Sequence, residues 1–479
     1  MQSLEGIQTV GSVPLVVDVD GTLIGGDLLV ESMVRLVAAR PHRLFSILLW
    51  MLSGRAVLKR RIAELVAIEP ATLNLNAVVI ERINAARRDG REVYLASAAD
   101  ESYVRELAEH VGANGYFASD GERNLAGSAK AKRLIAEFGQ GRFDYIGNEW
   151  RDLVVWKAAN HAIAVGPSGS LRKRISAVDP AAEVIEKHRS GLADYLKELR
   201  PHQWVKNILV FTPLVAAHDL VLHELALTGI AFLCLSLCAS GTYVFNDILD
   251  LAHDRQHATK RFRPLASGRI RIASAALMGA ALIIGGLAWA FATSTGLFGI
   301  ILAYLIATSA YSLYLKRKTF VDVVALATLY TMRILAGATV ALIPLSHWFL
   351  AFSIFIFLAL AIVKRLREII GLRHAGKEKS SGRAYFVEDL PVLAALAGAS
   401  SFAAVVVLAL YINSPEIAEH YGRPDFLWLL CPLLVYWLGR VVLLTNRGVV
   451  SDDPIVFALI DRASWVVALC AAATFIAAL

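Results

Sequence analysis

Residues 246–254 read Asn-Asp-Ile-Leu-Asp-Leu-Ala-His-Asp, which sets Asn246, Asp247, Asp250 and Asp254 at near-helical spacing. At 100° per residue these four side chains fall within an arc of roughly 100° on one helix face. Three carboxylates so placed repel one another unless a cation lies among them. A hard ion such as Mg²⁺, sharing its oxygen ligands between carboxylates and substrate phosphates, is the usual partner. Lys260, Arg261 and Arg263 follow in HATKRFRPLASGRI and supply phosphate-pairing cations, so a merely solvated acidic helix end fits poorly. The cluster predicts a divalent-metal and diphosphate site. Far upstream, a β-branched run from Pro14 to Val19 carries Asp18, with Asp20 at the Asp20-Gly21 break, a second place where carboxylates meet at the end of a strand.

The elements around the first cluster are membrane spans. Hydrophobic residues make up 56% of the 479-residue chain and the mean hydropathy is +0.54, so much of it must lie in lipid. The surplus begins near Arg200. Apolar runs near 205–219, 225–245, 273–293, 297–315, 320–342, 347–364, 391–412, 426–445 and 462–479 predict an all-α bundle of about nine spans, the first of them short. The loops 246–272, 315–319, 364–390 and 446–462 hold 18 Lys and Arg, whereas the opposite loops hold one, Arg423. By the positive-inside rule those loops, the acidic cluster and the N-terminal domain face the cytosol of a multi-pass inner (cytoplasmic) membrane protein. The net charge of +7 therefore marks a membrane side, and without a basic tail or arm it argues against nucleic-acid binding.

Several cations in this half are candidate phosphate contacts: Lys206, Lys260, Arg263, Lys316, Arg333 and Arg365. Lys206 and Arg333 sit within or near apolar runs, where an unpaired cation costs about 2.5–3.5 kcal/mol. The loop after the sixth span reads Lys364-Arg365-Leu-Arg367-Glu368 and continues to Arg383, a density of positive charge better suited to phosphate than to a metal ion. Cys234, Cys238, Cys431 and Cys470 lie in apolar runs without metal-site spacing. The opening MQSLEGIQTVG lacks the basic and apolar regions of a signal peptide.

Before Arg200 the chain reads as a soluble α/β domain. Strands are expected at 14–19, 92–96 and 143–146, with helical patterns between them, which predicts a parallel sheet. Residues 28–88 read as a helical cap, whose segment Leu44 to Leu52 is apolar but too short to span and either packs in the domain or rests on the membrane surface. The expected domains are 1–180, a polar connecting helix over 181–200, and a membrane domain over 201–479.

The NDxxDxxxD cluster with the following RPxxSG stretch resembles the UbiA superfamily of intramembrane prenyltransferases, over essentially all of 197–479. The resemblance implies Mg²⁺ and a diphosphate donor at Asn246, Asp247, Asp250 and Asp254, the three aspartates being catalytic. The superfamily's usual second Asp-rich motif is missing from the loop at 364–390. The blocks LRPHQWVKN (199–207), YSLYLKRKTFVDV (311–323), TLYTMRILAG (328–337) and DDPIVFALIDR (452–462) look like the decaprenyl-phosphate phosphoribosyltransferase branch. That branch implies transfer of 5-phosphoribose from phosphoribosyl pyrophosphate to a polyprenyl phosphate. Upstream, Asp18-x-Asp20-Gly-Thr, Ser97, Gly127-Ser-Ala-Lys130 and Gly147-Asn148-x-x-x-Asp152 resemble the haloacid dehalogenase (HAD) phosphatases over about 13–165. This implies a Rossmannoid fold, Asp18 as nucleophile, Asp20 as acid and base, Ser97 and Lys130 as phosphoryl contacts, and Mg²⁺ at Asp18, Asn148 and Asp152. Asn148 stands where the family has aspartate, which should weaken the metal site. Together the halves suggest that the phosphatase domain removes the 5-phosphate of the lipid product, as in building a cell-wall or secreted glycolipid. The alternatives are prenyl transfer to another acceptor, and a transporter or scaffold with a regulatory soluble domain.

Overall fold

The computed structural model describes residues 13–120, 124–187, 190–376, 378–379, 383–415, 421–450 and 454–479. The opening segment 1–12 and Asp452 and Asp453 of the last motif block lie outside the described residues. The chain divides into two compact units, one comprising Met1–Leu199 with Val244–Met278, the other Arg200–Tyr243 with Gly279–Leu479. The loop bearing the acidic cluster thus packs with the N-terminal unit rather than with the rest of the membrane helices.

The first unit is built on a six-stranded parallel sheet of β1 (Leu15–Asp18), β2 (Val93–Asp100), β3 (Gly115–Ser119), β4 (Asp144–Gly147), β5 (His161–Val165) and β6 (Glu183–Ile185), in the order β3-β2-β1-β4-β5-β6. Both faces are buried, as all-parallel sheets require. Alternation within β1 shows it, since Leu15 and Val17 enter one core and Val16 the other. The order reverses direction at β1, so its carboxyl end opens onto the crevice where such sheets bind ligands.

Two boundaries differ from the sequence reading. The cap consists of α1 (Leu28–Ala39), α2 (Leu44–Leu52) and α3 (Arg55–Ala63), and its small core of Leu36, Ile47, Leu58 and Ile62 is separate from the sheet. Helix α4 (Ala77–Arg88), expected to belong to the cap, instead seats Val79, Ile83 and Ala86 in the sheet core. Helix α2 buries Ile47 and leaves Phe45, Leu48, Leu49 and Leu52 exposed. The expected connecting helix over 181–200 is also corrected: Glu183–Ile185 pairs with β5 as an edge strand, and only Leu192–Glu198 is helical.

Among the described residues seven helices are long and apolar enough to cross a bilayer, from Leu222–Leu249 to Pro424–Asn446. An eighth is the pair Pro454–Ile460 and Arg462–Ala478, bent by 82°. The short first span expected at 205–219 is a 3₁₀ helix, Pro201–Phe211, continued by an α-helix, Thr212–Ala217. At 11 and 6 residues this pair is not among the helices long and apolar enough to span, so the described residues hold seven such helices, or eight with the bent pair, against the nine anticipated.

Candidate active sites

Strand ends assemble the site of the first unit. Asp18 closes β1, and its Oδ1 accepts from Lys130 Nζ at 2.6 Å while Oδ2 accepts from Thr22 at 3.1 Å. Lys130 also donates to the Tyr145 hydroxyl at 3.0 Å, and Tyr145 donates onward to Asp152 Oδ1 at 2.9 Å. Asp20 accepts from the Leu28 backbone N–H at 2.7 Å and from Ser97 at 3.3 Å. Sharp reversal after Asp20 needs Gly21, at φ +77, where a Cβ would stand 2.1 Å from Asn148 Nδ2. The four sequence motifs therefore converge. They line a cavity of about 420 Å³ roofed by Met33, Met51 and Leu58 of the cap.

Burial shifts both aspartates in the same direction. Burial, reinforced by the nearby Asp27 charge, pushes the Asp20 carboxyl up to about 7, where an acid can both give and take a proton near neutrality. Burial likewise raises Asp18, to about 6, against the pull of Lys130. Burial opposes the Lys130 charge, yet Asp18 and Asp152 outweigh it and hold the ammonium above its ordinary range.

Does this site suit a divalent cation? Among the described residues no three Asp, Glu, His or Cys side chains form a complete ligand set. Asp152, expected as a ligand, is saturated otherwise: Oδ2 accepts from the backbone N–H groups of Asn148 and Glu149, and Oδ1 from Tyr145. Asn148 is different. Its Oδ1 is buried without a hydrogen-bond partner, beside Asp18 in the same cavity. A buried amide oxygen left open is costly unless something binds it. Mg²⁺ suits a sparse set of protein oxygens because it keeps waters and takes substrate phosphate oxygens.

The acidic loop shows a related arrangement. Asp247 and Asp254 are buried and converge on one guanidinium: Arg263 Nη1 lies 3.0 Å from Asp247 Oδ1 and also donates to Asp254 Oδ2. Asp254 Oδ1 is buried without a hydrogen bond, with Lys260 Nζ 3.7 Å away. Asp250 begins the short helix Leu251–Gln256 and is exposed, and Asn246 is half-buried. So two of the three carboxylates meet with a cation between them and one oxygen open, a donor set that a diphosphate-bound divalent ion can complete. Sequence reasoning missed the neighbour of this cluster. Arg255 forms a two-pronged ion pair with Glu31 of α1, at 3.0 and 2.7 Å, and donates to the Thr72 carbonyl. Asn74 reaches the Ser267 carbonyl at 3.0 Å.

Three expected phosphate contacts in the second unit have protein partners. Arg365 is 1% exposed, and its nitrogens donate to Asp322 at 2.6 Å, Glu368 at 2.7 Å and Tyr311 at 2.9 Å. Arg383 pairs with Glu368 at 3.0 Å, while its Nη1 is buried without a hydrogen-bond partner. Arg333 donates to Asn207, Tyr304 and the Leu329 carbonyl, between the rings of Tyr304 and Tyr330. Lys206 is buried in the 3₁₀ helix, and Lys316 and Lys364 are half-buried. Asp322 was legible in principle: an acid within an apolar run invites the same question asked of Arg333.

A model of the UbiA prenyltransferase family matches residues 208–477. The chain belongs to that family. It is accordingly a transferase. Over 97% of its length it is 35% identical to uncharacterized protein y4nM of Sinorhizobium fredii, covering 91% of that protein. It is 36% identical to nodulation protein NoeC of Azorhizobium caulinodans over 57% of this chain and 89% of that one. To the decaprenyl-phosphate phosphoribosyltransferase of Mycobacterium tuberculosis it is 36% identical over 37% of this chain and 61% of the relative. Among solved structures, a UbiA homolog from Archaeoglobus fulgidus bound to GPP and Mg²⁺ aligns over 59% of this chain and 99% of its own, at TM-score 0.45 and 18% identity. A phosphoserine phosphatase in a phospho-aspartyl intermediate analogue state aligns over 39% of this chain and 98% of its own, at TM-score 0.27 and 19% identity.

Proposed function

We propose that the chain transfers 5-phosphoribose from phosphoribosyl pyrophosphate to a polyprenyl phosphate on the cytosolic face of the inner membrane, and then removes the 5-phosphate at its HAD-like site. The observation that carries the pairing lies within one unit: Arg255, next to Asp254 of the acidic cluster, is clamped to Glu31 on the first cap helix over Asp18 and Asp20. Likeness to decaprenyl-phosphate phosphoribosyltransferases supports the choice of donor and acceptor.

In the transfer step Asp247 and Asp254, with Asn246 and Asp250 nearby, would hold Mg²⁺ at the donor's diphosphate end, and the ion would supply charge neutralisation for the leaving group. Arg263, seated between two carboxylates, and Lys260 pair with phosphate oxygens. The bond from ribose C1 to the diphosphate breaks as a polyprenyl phosphate oxygen bonds to C1. That oxygen is already ionised, so positioning rather than a general base carries the step. In the second step Asp18 attacks phosphorus and forms an aspartyl phosphate, while Asp20 protonates the departing 5-oxygen. Asp20 then takes a proton from the water that cleaves the intermediate, and Lys130 holds Asp18 and a phosphoryl oxygen throughout.

One observation favours a second reading. Because Arg365 and Arg383 are matched by Asp322 and Glu368, the loop lacking a second acidic motif carries less free positive charge than its sequence suggests. Prenyl transfer to another acceptor therefore stays a competing chemistry. Membranes bearing the chain, given labelled phosphoribosyl pyrophosphate, Mg²⁺ and a polyprenyl phosphate, should yield labelled lipid. Labelled acceptor from a prenyl diphosphate, with no label from the ribosyl donor, would establish prenyl transfer instead.

A further inference from the structure

The first unit contains a second and larger cavity, about 760 Å³, opening beside Asp20. One wall is Asp20, Gly21 and Asn148, and another is Lys187 with Arg271, the latter from the stretch that follows the acidic loop. Lys187 stands just after β6 and donates to the Gly21 carbonyl at 3.2 Å, so its ammonium lies against the residue next to Asp20. Its approach depends on Gly166, at φ +57, because a Cβ there would come within 2.7 Å of the Lys187 Cβ.

The charge balance of this wall is unusual. Asp20, Asp27 and Glu149 also line this cavity, yet among the described residues neither Lys187 nor Arg271 forms an ion pair, whereas Arg255 is matched by Glu31. Burial and then the like charge of Arg271 depress the Lys187 ammonium below the usual lysine range. Two cations left without ion-pair partners on one cavity wall are stabilised by an anion between them, and a phosphate with several acceptor oxygens satisfies both. The cavity starts at the catalytic acid, so that anion lies within a small molecule's length of the phosphoryl group attacked by Asp18.

We propose that Lys187 and Arg271 bind a second phosphate group of the phosphatase substrate, so that the site selects sugars phosphorylated at both ends. The first phosphate is a monoester presented to Asp18, and the second is a monoester or diester on the far carbon of the sugar. The proposal deepens the phosphatase reading given above and rests on it for the first phosphate only. A lipid-linked phosphoribose 5-phosphate has this two-phosphate pattern, and a simple sugar monophosphate does not. Selection here keeps the domain from hydrolysing the cell's common monophosphates.

Binding is measured by calorimetry on the purified full chain in detergent, in a background carrying Asp18→Asn and Asp254→Asn to remove turnover and the donor site. The probes are ribose 1,5-bisphosphate and ribose 5-phosphate. The background protein should bind the bisphosphate at least roughly tenfold more tightly, the scale of one charge-assisted hydrogen bond. Lys187→Met and Arg271→Ala should each bring the ratio of affinities toward one, and Lys187→Arg should retain the preference. A ratio near one in the background protein, or a ratio unchanged in both variants, overturns the proposal. Arg271 is exposed, so Arg271→Ala decides the matter if Lys187→Met does not fold. Separately, absence of phosphate release from any of these sugars by the otherwise unaltered chain sinks the phosphatase reading, while the binding ratio still decides the second-phosphate site.

Discussion

Lys130 in the first unit and Arg365 in the second are both buried cations that donate to an aspartate at 2.6 Å. Around Lys130 the remaining groups leave room: it lines a cavity, and the nearby Asn148 Oδ1 has no partner. Around Arg365 they do not, because Asp322, Glu368 and Tyr311 take up all three nitrogens. Clustered charge in a sequence thus marks a ligand site only where folding leaves a polar atom uncompensated. Asn148 and Asp254 meet that condition, as does Arg383 through its Nη1, whereas Arg365 is sealed.

The largest effect that bears on this contrast is expected at the nucleophile. Asp18→Asn should lower phosphate release from ribose 1,5-bisphosphate by roughly a thousandfold or more, with thermal unfolding little changed. Next is Arg365→Met, which leaves Asp322 charged and buried and should cost about 3–5 kcal/mol, read from unfolding of the detergent-solubilised chain. Unchanged stability with weakened donor binding would break the contrast and return Arg365 to the phosphate-binding set.

A smaller, sharpening change is Asn148→Asp. It restores a negative charge at the open oxygen and should lower the Mg²⁺ concentration for half-maximal phosphate release roughly tenfold. An unaltered Mg²⁺ dependence would mean that Asn148 does not face the ion. Smallest is Lys260→Ala. Its ammonium is partly exposed and 3.7 Å from Asp254, so the donor KM should rise no more than about fivefold, in line with exposed pairs worth about 0.2–1 kcal/mol.

What the sequence made legible follows from where each signal lies along the chain. β1 and Asp18-x-Asp20 stand out because a β-branched run ends in Asp-Gly, a local pattern. The acidic cluster stands out for the same reason, its members falling within nine consecutive residues. Strands β5 and β6, HAIAV and EVI, are short, and they emerge only through pairing with neighbours. Helix α4 was assigned to the cap because an amphipathic helix has the same periodicity whether it packs on a cap or on a sheet. The neutralisation of Arg365 was hidden by distance: Asp322 lies 43 residues away and Tyr311 lies 54 away. Arg255 and Glu31 are 224 residues apart, and no local pattern joins them.

Sequential action of the two sites is tested most directly by the identity of the lipid made. Membranes with the unaltered chain and with Asp18→Asn would each receive phosphoribosyl pyrophosphate, Mg²⁺ and a polyprenyl phosphate, and the extracted lipids would be weighed by mass spectrometry. The expected result is a polyprenyl phosphoribose without its 5-phosphate from the unaltered chain, and the same lipid one phosphate heavier from Asp18→Asn. Identical lipids from both, with or without the 5-phosphate, would contradict it.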